Sequence, residues 1–346
     1  MENCKKYLSG IGFVIGLAVL VRLIHSKLPT NLQISISEVL IGVAIGLIIN
    51  HFSHKSDFRK DFQLGIKFSF DTLLKTAIVL LGLKISLMKV ASIGGNVLLL
   101  ILFTISLALI LTYILGKLTK TPPKLATLIG IGTAVCGNTA ISATGPAIGA
   151  SDEEISFAIA TNTFFGTVAV FFYPLLGQYL GLDDQFFGTW AGTAVNDTSQ
   201  VVATGFSFSS SAGEIATTVK LTRNALMGFV IIAATLFYGD HTQEKQEKKI
   251  SILKKIKLPV FIVLFIIAAV LNSLGLFTWV QQITGIPIIQ YGNWITKLFI
   301  LMALIAVGLN TRFSSFKKVG FGPLGIGFAS ASLVSLSSFL ILKLIL

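Results

Sequence analysis

Asp197 is the residue whose chemistry most needs a reason. It sits in Val195-Asn196-Asp197-Thr198-Ser199-Gln200, within an otherwise apolar stretch. A carboxylate there is costly, and ionisable groups inside apolar spans usually face a bundle interior and do a job, such as binding a cation or carrying a proton. The plainer alternative is a carboxylate that pairs with Arg or Lys and locks helices together. Arg223 and Lys220, in Val219-Lys220-Leu221-Thr222-Arg223-Asn224, are the nearest basic groups downstream. The planar Arg fork suits an oxyanion through bidentate hydrogen bonds. Arg223 is therefore expected either to hold an anionic solute or to pair with Asp197. For Lys220, near an expected span end, snorkelling of the ammonium to the interface is the simpler expectation.

Two polar stretches frame these charges. One is Gly132-Thr133-Ala134-Val135-Cys136-Gly137-Asn138-Thr139-Ala140-Ile141-Ser142-Ala143-Thr144-Gly145. The other is Gly192-Thr193-Ala194-Val195-Asn196-Asp197-Thr198-Ser199-Gln200-Val201-Val202-Ala203-Thr204-Gly205. Both begin Gly-Thr-Ala-Val and end Ala-Thr-Gly in the same ungapped register. Small and polar residues inside apolar sequence predict helices that break around a polar site, because lipid cannot satisfy free backbone groups. Half-helix N-termini at Gly137 or Gly145 would offer free N–H groups and a positive dipole end to an anion. Cys136, Asn138, Ser142, Asn162, Asn196 and Gln200 supply hydrogen-bonding groups. Singly, such residues are helix–helix glue worth about 0.6 kcal/mol, so their case rests on clustering.

The elements that must position these residues follow from composition. The chain has 346 residues, 53% hydrophobic and 12% charged, against about 25% charged in soluble domains. Mean hydropathy is +0.84. Only a bilayer accommodates so much apolar sequence. Spans are expected near 7–27, 36–50, 64–86, 95–116, 123–149, 155–180, 186–206, 213–238, 258–275, 291–310 and 320–346, with an irregular piece at 276–290. The net charge of +12 does not indicate nucleic acid, because the basic residues cluster between spans. Placing the N-terminus in the cytoplasm puts Lys5/Lys6, Lys55/Arg59/Lys60, Lys117/Lys120/Lys124, the six lysines of 245–257 and Arg312/Lys317/Lys318 inside. Lys27, Lys89 and the acidic Asp152-Glu153-Glu154 then lie outside, as positive-inside topology requires, with the C-terminus outside too. Asp71 and Lys75, four apart, are expected to pair on one helix face. Ala77-Ile78-Val79-Leu80-Leu81-Gly82-Leu83-Lys84 echoes Ala303-Leu304-Ile305-Ala306-Val307-Gly308-Leu309-Asn310, as inverted repeats of secondary transporters do.

Catalytic chemistry finds little footing. The histidines are His25, His51, His54 and His241, without metal-ligand partners at the right spacing in a span. No Gly-x-Ser-x-Gly elbow and no Walker-type Gly-Lys-Ser/Thr occurs. Cys4 and Cys136 make no disulfide framework.

Four motifs in order resemble the YeiH-type family of membrane proteins, a family named for sulfate export. Cys136-Gly137-Asn138-Thr139-Ala140-Ile141 looks like its Cys-Gly-x-Ser-Ala-Ile motif. Val195-Asn196-Asp197-Thr198-Ser199-Gln200-Val201-Val202-Ala203 is similar to its Val-His-Asp-x-x-Gln-Val-Val-Ala run. Lys220 to Arg223 resembles its Lys-x-x-Arg, and Gly308-Leu309-Asn310-Thr311 its late Gly-Leu-x-Thr. The resemblance covers nearly the whole chain. It implies a fold related to the cation/proton antiporter and anion transporter group, and adds Asn310 to the candidates. Asn196 stands where the pattern has His, and Asn138-Thr139 replaces a small residue and Ser. Loss of that His removes a group titrating near neutral pH, which leaves Asp197 as the coupling residue.

The expectation is a single transmembrane domain over 1–346, an all-α multi-pass protein of about eleven helices (range nine to twelve), with inverted repeats and broken helices. Its expected activity is secondary transport of a small anion, a sulfur oxyanion or a carboxylate, coupled to H⁺ or Na⁺ at the cell membrane. Arg223 and the helix end at Gly137 would bind the anion, with Cys136, Asn138, Ser142, Asn196 and Gln200 around it. Asp197 would carry the coupling ion, with Lys220, Asn162 and Asn310 as secondary candidates. No catalytic residue, resident metal or cofactor is expected, and no nucleic acid. A homodimer stays open. The rival readings are a passive anion channel and an intramembrane enzyme.

Overall fold

Bilayer-length apolar runs without interior polar clusters form single uninterrupted helices here, and the two Gly-Thr-Ala-Val stretches break. The computed structural model describes residues 2–29, 33, 36–53, 58–84, 94–238, 259–311 and 320–346. Among these the chain is all-helical, with no strand. The expected basic groups Lys55, Lys89, Arg312, Lys317 and Lys318 and the lysine-rich segment 240–257 lie outside the described residues.

The chain opens with α1 (Glu2–Lys27) and α2 (Glu38–Ser53). α3 (Phe58–Phe68) passes through a π-helical turn at Ser69–Leu73 into α4 (Leu74–Leu81). α5 (Gly94–Leu118) is a clean apolar helix. α6 (Pro123–Ala134) and α7 (Asn138–Ala147) share the first polar stretch. After α8 (Asp152–Tyr179), α9 (Asp184–Ala194) and α10 (Thr198–Phe208) share the second. α11 (Ser210–Ala225), α12 (Met227–Phe237), α13 (Val260–Ser273), α14 (Leu276–Thr284), α15 (Ile288–Asn310) and α16 (Phe321–Ile345) complete the series.

Local chemistry sets the starts. Pro123 opens α6, where its missing N–H costs nothing. Ser151 and Glu154 form a reciprocal capping box at the head of α8. The acidic triplet at 152–154 is thus the first turn of that helix, where negative charge meets the positive dipole end. Asp183 caps α9 by accepting from the Phe186 amide at 2.8 Å.

Among the described residues six helical runs are long and apolar enough to cross a membrane alone: Lys6–Lys27, α5, α8, Ser210–Phe237, α15 and α16. The pair α13 and α14, bent by 66°, makes a seventh if it is one span. An eleven-span total would also need the broken pairs α6/α7 and α9/α10 and the shorter α2–α4.

The described residues group into two compact units, Met1–Gly94 with Phe206–Ser210 and Pro259–Arg312, and Gly95–Gly205 with Ser211–Leu258 and Phe313–Leu346. In the first, Val14, Ala18 and Val21 of α1 pack with Leu301, Met302 and Ile305 of α15 and with Ile66 and Leu73. The echoing segments 77–84 and 303–310 fall on α4 with its C-cap and on the end of α15, which pack together. The expected Asp71–Lys75 pair is not formed. Asp71 lies in the π turn at Ser69–Leu73, and Lys75 lies in α4 just beyond it.

In the second unit, Leu125, Leu128 and Ile129 of α6 pack with Ile141 of α7, Ala158 of α8 and Ile326 of α16. Trp190 of α9 stacks on Tyr173 with ring centroids 4.5 Å apart. Its indole N–H donates to the Ser335 carbonyl at 3.1 Å, and Thr193 meets Ser338 at 2.6 Å between hydroxyls. These contacts fix α9 against α16.

Gly42 and Gly46 form a Gly-x-x-x-Gly face on α2 that lies directly on α15. A Cβ on Gly46 would come within 3.0 Å of the Gly308 Cα, and one on Gly42 within 3.0 Å of Ile305 Cγ1. Helices in lipid associate through such close backbone approach. Gly46→Leu is expected to destabilise the folded protein by about 1–3 kcal/mol, the usual cost of overpacking, and Gly46→Ala by less. The readout is the melting temperature of purified protein in detergent. An unchanged value for Gly46→Leu would show that these helices do not meet.

Candidate functional site

The two polar stretches break at the same register. α6 ends at Ala134, and the chain passes through Val135 and Cys136 to Gly137, at φ 65 and ψ −125, before α7 begins. That conformation is open in practice only to glycine. α9 ends at Ala194, Val195 is extended at φ −80 and ψ 140, and α10 begins at Thr198. The breaks lie against each other: a Cβ on Gly137 would sit 2.9 Å from both the Cα and Oδ2 of Asp197. Each helix end exposes up to four unpaired backbone groups, which lipid cannot satisfy. Charged side chains do so instead.

The carbonyl ends of α6 and α9 meet two cations from α11. Arg223, fully buried, donates through Nε to the Ala134 carbonyl at 2.6 Å and through Nη1 to those of Thr193 at 2.7 Å and Val195 at 3.5 Å. Its Nη2 donates to the Thr133 carbonyl. Lys220, also fully buried and one turn earlier, donates to the carbonyls of Val195 at 3.0 Å and of Asn196. Each helix C-terminus carries about half a negative charge, so the cations sit where the dipoles favour them. The expectation that Lys220 snorkels is corrected: its ammonium is enclosed because the break supplies carbonyls to hold it. Arg223 likewise forms no ion pair with Asp197, because four of its five N–H groups are committed to carbonyls.

The amide ends of α7 and α10 meet Asp197. Its Oδ1 accepts from the Ser199 amide at 2.9 Å and the Ser199 hydroxyl at 2.6 Å, as a helix N-cap does. Its Oδ2 accepts from the Asn138 amide at 3.4 Å, at the head of the other half-helix. One carboxylate thus serves both N-termini. The half-helix start anticipated at Gly137 or Gly145 falls at the first: Gly145 lies inside α7, buried against α8.

Asparagines and threonines surround this junction. Asn138 Nδ2 donates to Thr163 Oγ1 at 3.0 Å, and Asn162 Nδ2 donates to Asn138 Oδ1 at 3.1 Å. Gln200 Nε2 donates to the Thr163 carbonyl at 3.0 Å and Thr167 Oγ1 at 3.3 Å. Asn224 Nδ2 donates to Thr198 Oγ1 at 3.0 Å. The amide oxygens of Asn162, Asn196, Gln200 and Asn224 are buried and have no protein donor. Each such oxygen costs about 1–3 kcal/mol unless something meets it.

The structure therefore brings Asp197, Asn138, Asn162, Asn196, Gln200, Lys220 and Arg223 to one junction, with Gly137 at its centre. Cys136 lies in the first break, its thiol donating to Met227 Sδ at 3.2 Å. Ser142 is exposed one turn beyond Asn138, outside the hydrogen-bonded set. Asn310 ends α15 in the first unit. Thr163, Thr198, Ser199 and Asn224 were missed by sequence reasoning. The run Thr161-Asn162-Thr163 inside an apolar span, and Asn224 directly after Arg223, were signals that could have found two of them. Among the described residues no group of three His, Cys, Asp or Glu side chains could hold a metal ion.

Arg223→Met would strip the guanidinium from four carbonyl groups at the ends of α6 and α9 and orphan three of them, since the Val195 carbonyl keeps Lys220. At about 1–3 kcal/mol per orphaned group, most folded protein should be lost, read as monodisperse yield and melting temperature. Arg223→Lys, which keeps the charge without the fork, should fall between. A normally stable Arg223→Met protein would remove the arginine as the clamp of the breaks.

Comparison with known proteins places the chain. The family model described as Conserved hypothetical protein 698 matches residues 9–327. The chain is 35% identical over 352 aligned positions to a UPF0324 membrane protein of Clostridium tetani, covering 97% of each chain. It is 36% identical to a UPF0324 membrane protein of Fusobacterium nucleatum over 313 positions, 87% of each. A third, from Streptococcus agalactiae, is 37% identical over 294 positions, 82% of this chain and 83% of the relative. The YeiH-type motifs and these relatives agree, and the chain belongs to the Conserved hypothetical protein 698 family of multi-pass UPF0324 membrane proteins.

Proposed function

We propose that the protein is a secondary active transporter that moves a small anion, a sulfur oxyanion or a carboxylate, coupled to H⁺ or Na⁺ at Asp197. The observation that carries this reading is the Asp197 carboxylate lying between the N-termini of α7 and α10. Paired helix N-termini are a ready anion site, and the protein's own carboxylate fills it. A solute anion and the charge on Asp197 then compete for the same amides. Neutralising Asp197 with a proton, or screening it with a cation, favours anion binding, and this links the two.

Charge balance supports an anionic guest. Two buried cations, Lys220 and Arg223, stand against the single carboxylate of Asp197. The four helix ends nearly cancel among themselves, at about half a charge each, so with both side chains protonated the junction carries an excess of one positive charge. The unpartnered amide oxygens of Asn162, Asn196, Gln200 and Asn224 support the coupling half of the reading, since they suit a donor or a cation. Irregular backbone at membrane depth is tolerated where it is buried in protein or lines a cavity, and transporters use it at their sites. Arg223 acts here by holding the break and biasing its potential, while Asn138, Asn162 and Asn196 are the contact residues for the solute. The cell membrane, with the N-terminus cytoplasmic, is the setting that the basic loops favour.

Purified protein in proteoliposomes, offered labelled sulfate, sulfite, thiosulfate and small carboxylates under imposed pH and Na⁺ gradients, should show gradient-driven uptake of at least one. Asp197→Asn keeps an N-cap residue but removes the charge. It should cut gradient-driven flux about tenfold or more, the scale of a typical coupling free energy, while leaving counterflow exchange. Gradient-driven flux that Asp197→Asn leaves intact would reject coupling at this residue. Equal, gradient-independent flux in both proteins would favour a channel.

A further inference from the structure

A second site lies in the same unit, at the end of α5 and apart from the helix breaks. α5 closes in a left-handed turn. The Thr121 amide reaches back to the Gly116 carbonyl at 3.0 Å, and Lys120, at φ 54, holds the position that glycine usually takes. Two residues on, α6 begins. Beside this turn is a cavity of about 490 Å³, whose walls include Tyr113, Lys117, Lys120, Thr121, Phe237 and Tyr238. Lys117 Nζ stands 4.5 Å from the centre of the Tyr113 ring, and that ring meets Phe237 edge-on at 6.1 Å. The end of α12 is tied to α6, with the Tyr238 hydroxyl donating to the Pro123 carbonyl at 3.0 Å and bonding Thr127 Oγ1 at 2.7 Å.

The cavity combines two features that point to one occupant. Its wall holds two exposed ammonium groups and no carboxylate among the described residues. Its other side is aromatic, with Phe237 69% exposed and Tyr113 41% exposed. Both aromatics sit near the ends of apolar helices, the level at which aromatic side chains meet the membrane interface. Lysines complementing the carbonyl end of α5 would account for the charge, and snorkelling would account for their exposure. Neither accounts for a walled cavity with an apolar side open beside the charges. Basic pockets between membrane helices bind anionic headgroups.

We propose that this cavity seats the headgroup of an anionic glycerophospholipid. The phosphate lies between Lys117 and Lys120 near the Thr121 hydroxyl, and the glycerol and upper acyl carbons lie along Tyr113 and Phe237. The site is independent of the transport reading.

The test uses the full chain in detergent, titrated with phosphatidylglycerol, phosphatidylcholine or inorganic phosphate, and followed by native mass spectrometry and melting temperature. Lys120→Gly gives the left-handed position its usual residue, so the fold is expected to hold or gain stability while the ammonium is lost. Phosphatidylglycerol should stay bound to the wild-type protein and raise its melting temperature, with an affinity that falls as salt rises. Lys120→Gly should weaken that affinity about fivefold, and Lys117→Gln with Lys120→Gly about thirtyfold, from the contribution of each basic group near an anionic surface. Equal retention of phosphatidylglycerol by the double variant would overturn the proposal. So would equal binding of phosphatidylcholine, or displacement of the lipid by inorganic phosphate alone.

Discussion

A helix broken inside a bilayer-length segment must find partners for its freed backbone groups within the protein. This constraint organises the second unit. The Thr133, Ala134, Thr193, Val195 and Asn196 carbonyls point their charge at Arg223 and Lys220, and the Asn138 and Ser199 amides point theirs at Asp197. Without those side chains the breaks would expose polar groups that lipid cannot meet. Without the breaks, two buried cations and the half-buried Asp197 would lose the dipoles that make their placement tolerable. Neither half of the arrangement stands alone, and the contacts that fix α9 against α16 keep both halves in register.

The same constraint separates the roles of the charges. Lys220 and Arg223 are both occupied by backbone carbonyls, which a solute anion cannot replace, so their place at the break is fixed. Asp197 differs because its partners are amides that any anion can use. A carboxylate whose hydrogen-bond donors suit a solute equally well is one whose charge is linked to that solute's binding, whichever coupling ion neutralises it. On the transport reading this makes the cations the fixed part of the junction and Asp197 its variable part.

Much of this was legible in the sequence, for identifiable reasons. The register shared by Gly132-Thr133-Ala134-Val135 and Gly192-Thr193-Ala194-Val195 is a backbone signal, and it carried through to breaks at equivalent positions. Asp197 stood out because carboxylates are rare in apolar spans. The fate of Lys220 was not legible, because snorkelling and enclosure depend on which carbonyls lie beside the ammonium, and spacing along one helix does not say. The partners of Arg223 were not legible for a related reason. Its fork suits a carboxylate, an oxyanion and a broken helix end alike, and only the position of α6 decides among them. The π turn that holds Asp71 leaves no mark in composition.

What the asparagine at 196 contributes, where the family pattern has histidine, can be read from the same geometry. The Asn196 carbonyl is held by Lys220, so its backbone belongs to the cationic side of the junction, while the next residue caps the amide side. A protonated imidazole there would add positive charge beside two enclosed cations, which is unfavourable at low dielectric. A neutral amide adds none, and its buried Oδ1 stays open to a donor. In this chain, position 196 therefore contributes acceptor capacity without a titrating charge. The carboxylate of Asp197 remains the one acidic group at the junction whose ionisation can change the balance between the paired helix ends.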